Sequence, residues 1–125
     1  MNTKTASILI GIIFVAVGLL GFVSNPIVGT SSDAIFHADK NHNYVHIVSG
    51  VLFLLIALAA PSAAGGFLKL FGLVYLALGI WGLTSIGSAG MTTLLSFLHV
   101  NAADNYLHIG LGLAIFLAGF LPRGA

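Results

Sequence analysis

Cysteine and glutamate are both missing from this 125-residue chain, and charge of either sign is scarce. Without cysteine there is no disulfide, no thiolate nucleophile and no Cys-ligated metal. Without glutamate the acids reduce to Asp33, Asp39 and Asp104, set against Lys4, Lys40, Lys69 and Arg123. Charged residues make up 6% of the chain and hydrophobic ones 58%. A soluble domain needs far more charge to cover its surface, so the solvent here is mostly lipid. No basic run tracks a phosphate backbone, which excludes a nucleic-acid partner. There is no P-loop, no Ser-His-Asp arrangement and no carboxylate pair in a catalytic context. We therefore expect no enzymatic activity.

What is present is four long apolar runs, 6–23, 44–60, 66–83 and 106–121, punctuated by "SNP" (24–26), Pro61, "TSIGSAG" and Pro122. Helices of about 16 to 18 residues cover roughly 24 to 27 Å, near the lower limit for a bilayer core of about 30 Å. Polar end turns supply the remainder. The runs lack the dyad alternation of barrel strands. The first run opens like a secretory signal, with a charged start and an apolar middle, but it has no A-x-A site. It also has a partner: "GIIFVAVGLLG" (11–21) aligns with "GLVYLALGIWG" (72–82), glycine on glycine. If the third run spans, the first should too.

The repeat covers the whole chain, with units of about 1–61 and 62–125 joined by "APSAAGG". Each unit has two spans, so both insert with the same orientation, related by an axis along the membrane normal. Neither unit alone buries its inner face. The expectation is an all-α, four-helix membrane bundle forming one domain, with short amphipathic outer segments. Gly11, Gly18, Gly72 and Gly79, seven apart in each half, fit a helix–helix seam. Lys4, Lys69 and Arg123 fall on one side, which places both termini in the cytoplasm. Asp33, Asp39, Lys40, Asp104 and all five histidines then fall at or near the outer side of a plasma membrane.

The outer polar residues repeat as well. In "NHNYVHIVSG" (41–50) and "ADNYLHIGLG" (103–112), Asn43 matches Asn105, Tyr44 matches Tyr106, His46 matches His108 and Gly50 matches Gly112. His42 matches Asp104, and upstream His37 matches His99. Asn, His and Gly are spaced three and then four, which makes one stripe on a helix. His42 and His46 lie on adjacent turns, as do Asp104 and His108. If the second and fourth helices face a shared axis, the stripes converge just below the outer surface.

The signatures H-N-x-x-H (His42, Asn43, His46) and N-x-x-D-N-x-x-H (Asn101, Asp104, Asn105, His108) resemble those of a family of small bacterial four-span membrane proteins. That family is classed as a domain of unknown function. The resemblance covers most of the chain and implies the fold and topology; it implies no activity.

Two readings of the stripe stand side by side. In the first it is structural glue, with Asn43 and Asn105 hydrogen-bonding across helices to His46 and His108 at roughly 0.6 to 2 kcal/mol per bond. Asn101 then caps the fourth helix, with Asp104 at its third position. In the second the stripe is a site, since ionisable groups inside a membrane carry function by default. His42, His46, Asp104 and His108 suit zinc or a copper-like divalent ion. His37 and His99 are possible outer ligands. The rival occupant is a b-type haem or chlorin between His46 and His108, flanked by Asn43 and Asn105, with Gly50 and Gly112 leaving room for the macrocycle; the same glycines equally permit close helix packing, their more common use. Phe71, Tyr75 and Trp81 read as packing or interface residues.

The leading expectation is a non-enzymatic membrane protein whose outer histidine cluster binds a metal ion or haem-like cofactor. The alternative is an accessory subunit of a larger membrane complex, or a homo-oligomer. A small transporter or channel component ranks third, because four short helices leave little room for alternating access.

Overall fold

The structure is a computed structural model. It describes residues 1–23, 25–29, 35–37, 40–85, 91–94 and 98–123; for residue 37 and residues 91–94 and 98–100 only the backbone is described. Asp33 and Asp39 lie outside the described residues, as do the side chains of His37 and His99.

Four helices carry the chain: α1 (Thr3–Leu20), α2 (Lys40–Ala59), α3 (Ala64–Ser85) and α4 (Ala102–Ala118). A 3₁₀ turn at Pro61–Ala63 leads into α3. The expected outer segments are extended: β1 (Val28–Gly29) pairs in parallel with β2 (Phe36–His37), and β3 (Met91–Leu94) pairs antiparallel with β4 (Leu98–Asn101). Counting the 3₁₀ turn with α3, three of the helices are long and apolar enough to cross a membrane; α4, at 17 residues, is apolar but shorter.

Local chemistry sets the helix ends. Asn2 caps α1, its Oδ1 accepting from the Thr5 N–H at 2.8 Å. After Gly21 closes that helix, Asn25 ties down the exit: its Nδ2 donates to the Leu20, Val23 and Val28 carbonyls, and its Oδ1 accepts from the Ile27 and Val28 N–H groups. The Leu20 carbonyl at the helix end thus accepts from both the Val23 N–H and the Asn25 amide. Polar residues extend α2 back to Lys40, so His42 and Asn43 sit inside its first turn and not in a loop. The Thr3 N–H donates to the Pro122 carbonyl at 2.9 Å, bringing the ends of α1 and α4 together.

The helices pair as two hairpins, α1 with α2 and α3 with α4, and both use one seam. A Cβ on Gly11 would lie 2.8 Å from the Gly50 carbonyl oxygen, and one on Gly50 would lie 2.7 Å from that of Gly11. Gly72 and Gly112 reproduce this, each 2.7 Å from the other's carbonyl oxygen by the same construction. Further along, Gly18 sits over the Asn43 carbonyl and Gly79 over that of Asn105. Backbones this close leave no space for a side chain, which is how membrane helices gain contact when lipid tails remove the hydrophobic drive. The seam expected from Gly11, Gly18, Gly72 and Gly79 is therefore observed.

Aromatic rings join the hairpins. Phe53 is fully buried and meets Phe14, Phe67 and Phe71 edge-on at 5.0 to 5.5 Å between centroids. Each such pair contributes about 0.5–1.5 kcal/mol beyond its burial. The Ser7 hydroxyl donates to the Phe53 carbonyl at 2.7 Å. Outward, Ile12, Leu55, Leu70, Trp81, Leu113 and Leu117 are exposed, while Ser7, Ser49, Asn43 and Asn105 are buried. Polar groups inside and large apolar groups outside is the distribution a lipid solvent selects.

Candidate functional site

The polar residues gather at the end of the bundle opposite the chain's ends. The first two turns of α2 bring His42 and His46 onto the inner face, and α4 brings His108 against them. All three are buried. His42 meets His46 edge-on at 4.5 Å between centroids and His108 at 5.5 Å; His46 and His108 are 6.3 Å apart. One ring nitrogen from each can be chosen so that all three lie within 4.8 Å of one another.

Two of the rings carry an unmet demand. His46 Nε2 and His108 Nδ1 are buried with no hydrogen-bond partner among the described residues. An orphaned buried acceptor or donor costs about 1–3 kcal/mol. His46 and His108 are 7% and 4% exposed. Both rings, with His42 and Asp104, line a cavity of about 220 Å³ whose other walls are Val17, Leu20, Ile27, Val28, Phe36 and Leu107. The β1–β2 segment and the end of α1 thus form an apolar wall facing the histidines.

Asp104 lies on the same wall and also closes a capping box. Its N–H donates to Asn101 Oδ1 at 2.8 Å, and its Oδ2 accepts from the Asn101 N–H at 2.9 Å. The expected cap is therefore observed, and the same residue lines the cavity. The close donor group itself is the three histidines. The Asn101 amide further donates to the Ile35 carbonyl at 3.4 Å, linking the cap to the segment beside β2.

The residues expected to flank a macrocycle are placed elsewhere. Gly50 and Gly112 face the backbones of Gly11 and Gly72, so they make the helix seam and leave no slot. Asn43 and Asn105 press against Gly21 and Gly82. The hydrogen bonds expected from them to the histidines are not made at His46 Nε2 or His108 Nδ1, and Asn43 Oδ1 and both side-chain polar atoms of Asn105 are themselves unpartnered. The cavity is smaller than the roughly 300–1,000 Å³ usual for organic ligands. His42, edge-on to both other rings, stands where a macrocycle would lie.

Tyr75 packs in the core, as its sequence reading expects, and also touches the polar groups. It is buried, 5.5 Å from His108 between centroids, and its hydroxyl shares a 3.3 Å hydrogen bond with Ser49. Phe14, its counterpart in the repeat, stacks at a tilt on His46 at 5.6 Å. A signal was available, since Tyr75 is the one hydroxyl in the aligned stretch Gly72–Gly82 where Gly11–Gly21 has phenylalanine.

Fold and site define a class: a small, apolar helical bundle of membrane type with a buried histidine group at one end. The match to known families narrows it. A model of the family described as Domain of unknown function (DUF4383) matches residues 4–121, and the chain belongs to that family. No curated protein and no solved structure matches the chain.

Proposed function

We propose that this chain is an integral membrane protein of four spans whose buried histidines hold one transition-metal ion, without catalysis of its own. The observation that carries the reading is the convergence of one ring nitrogen each from His42, His46 and His108 within 4.8 Å beside a cavity, on residues of which His46 and His108 each hold a buried nitrogen without a partner. Imidazole donors select zinc or copper-like ions over magnesium or calcium, which prefer oxygen. Ligation at about 2.0–2.1 Å puts tetrahedral nitrogens about 3.3 Å apart, so the rings close by at most about 1.5 Å through side-chain rotation. Asp104 lines the same cavity and is the carboxylate candidate for a fourth ligand among the described residues. The apolar remainder of the cavity keeps competing water low and strengthens the metal–ligand attraction.

In this reading α4 is the fourth span, both termini are cytoplasmic and the metal sits just under the outer face of a bacterial inner membrane. Lys4, Lys69 and Arg123 gathered at the end opposite the histidines support that orientation. Lipid is the partner of the exposed apolar faces. The cavity's volume and the filled glycine positions favour an ion over haem or chlorin.

Cobalt substitution tests the proposal. Detergent-purified protein titrated with Co²⁺ is expected to develop visible ligand-field bands that saturate at one ion per chain and vanish on adding excess Zn²⁺. A flat spectrum through several equivalents would refute metal binding at this site. An absorption band near 400 nm in protein as purified would point to haem instead.

A further inference from the structure

A second cavity, of about 210 Å³, opens at the other end of the bundle, where α1 and α3 begin and α4 ends. Lys69 and Arg123 both line it, with the hydroxyl residues Thr3 and Ser62 and the glycines Gly65 and Gly66. Lys69 is half-buried, and its Nζ lies 4.3 Å from the centroid of the Phe120 ring. A Cβ on Gly66 would meet nothing within 4 Å, so backbone is open there. No aspartate is among the lining residues. Two cations therefore line one polar hollow, and no carboxylate is among its described lining residues.

We propose that this cavity binds a phosphate group, as carried by an anionic phospholipid headgroup or by a soluble phosphate ester. A guanidinium offers a planar pair of donors matched to phosphate oxygens, and an ammonium adds a point charge. Ser62 and Thr3 bring hydroxyls to the same walls. The cavity lies at the ends of helices long enough to cross a membrane, which is headgroup depth, and basic pockets between membrane helices at that depth take anionic headgroups. The site is separate from the histidine cluster and stands whether or not that cluster holds metal.

Native mass spectrometry of the full chain in detergent tests this, with phosphatidylglycerol, phosphatidylcholine and inorganic phosphate as probes. The wild type is expected to retain phosphatidylglycerol over phosphatidylcholine. The double variant Lys69→Gln, Arg123→Gln is expected to bind it about thirty-fold more weakly, the change due from two near-surface cations. Lys4→Gln, at the same end but outside the cavity, should leave retention unchanged, and circular dichroism confirms that all three proteins are folded. Inorganic phosphate displacing the lipid, or binding alone, assigns the site to phosphate from either source. Equal retention by the wild type and the folded double variant would overturn the proposal, as would a wild type that prefers neither phosphatidylglycerol nor phosphate.

Discussion

The hairpin of α1 and α2 and the hairpin of α3 and α4 are built on the same contacts and carry different chemistry. Both place glycine against glycine at mid-seam, Gly11 with Gly50 and Gly72 with Gly112. Both press an asparagine against a small residue near the polar end, Asn43 on Gly21 and Asn105 on Gly82. Both set an aromatic ring on the deeper histidine, Phe14 on His46 and Tyr75 on His108. They part at the position one turn before that histidine, which is His42 in one and Asp104 in the other. Packing positions tolerate little, because a closed backbone seam has no room to vary. The polar positions face a cavity, where a third imidazole and a carboxylate can share one site. The repeat thus supplies the frame, and its departure from symmetry puts a third imidazole and a carboxylate on the cavity walls.

The comparison breaks most visibly at the seam. Gly72→Leu forces a side chain into the α4 backbone at Gly112 and Phe116, and Gly11→Leu does the same against Gly50 and Leu54. Overpacking typically costs about 1–3 kcal/mol, and with backbone as the obstacle the expected result is loss of the folded bundle in both. Thermal melts in detergent read this out, and an unchanged melting temperature would contradict a common seam.

At the site the halves should separate. His108→Ala or His46→Ala is expected to weaken Zn²⁺ by more than the roughly 10–100-fold that loss of an outer-shell partner costs, and Asp104→Asn by no more than that range. Competition with a fluorescent chelator measures both, and an equal loss for Asp104→Asn would place the carboxylate among the obligatory ligands. Binding should also weaken as pH falls, because a protonated imidazole cannot ligate. The exchange His42→Asp with Asp104→His keeps the donor set while swapping its halves. It is expected to retain binding that His42→Asp alone loses, and failure of the exchange would mean that the two positions are not interchangeable around one ion.

Smaller effects sharpen the picture at helix ends and buried amides. Asn101→Ala removes the capping box of α4 and Asn2→Ala the cap of α1; each should cost about 0.5–2 kcal/mol in a melt, with Asn101 the larger because it makes two bonds. Asn105→Leu replaces an amide whose polar atoms are both unpartnered. Exchanging such a group for an apolar one of similar shape is nearly neutral or stabilising, so the melting temperature should hold or rise. A marked fall would show that this amide makes a bond essential to the fold.

Much of this was legible from spacing. The four helices follow from the apolar runs, the seam from glycines seven apart, and the meeting of His46 with His108 from aligning two short polar stretches. The Asn101–Asp104 cap is readable because N-x-x-D states a hydrogen-bond geometry directly. Less legible was the start of α2 at Lys40, because polar residues at a helix entrance carry no apolar period. The strands at Met91–Leu94 and Leu98–Asn101 read equally well as amphipathic turns, since four residues are too few to distinguish periods of 2 and 3.6. Gly50 and Gly112 left two readings open, ligand clearance and close helix packing, because a glycine stripe is the same in sequence whether it faces a cofactor or another backbone; the structure shows the packing. The polar contacts of Tyr75 were hidden for a related reason: they depend on Ser49 and His108, which lie on two other helices.

The central claim is that His42, His46 and His108 hold one metal ion. Elemental analysis of protein loaded with Zn²⁺ and freed of excess by gel filtration tests it most directly, comparing wild type with a folded His46→Leu, His108→Leu variant. One zinc per wild-type chain and none above background in the variant is the predicted result. Equal zinc content in the two proteins, or none in either, would contradict it.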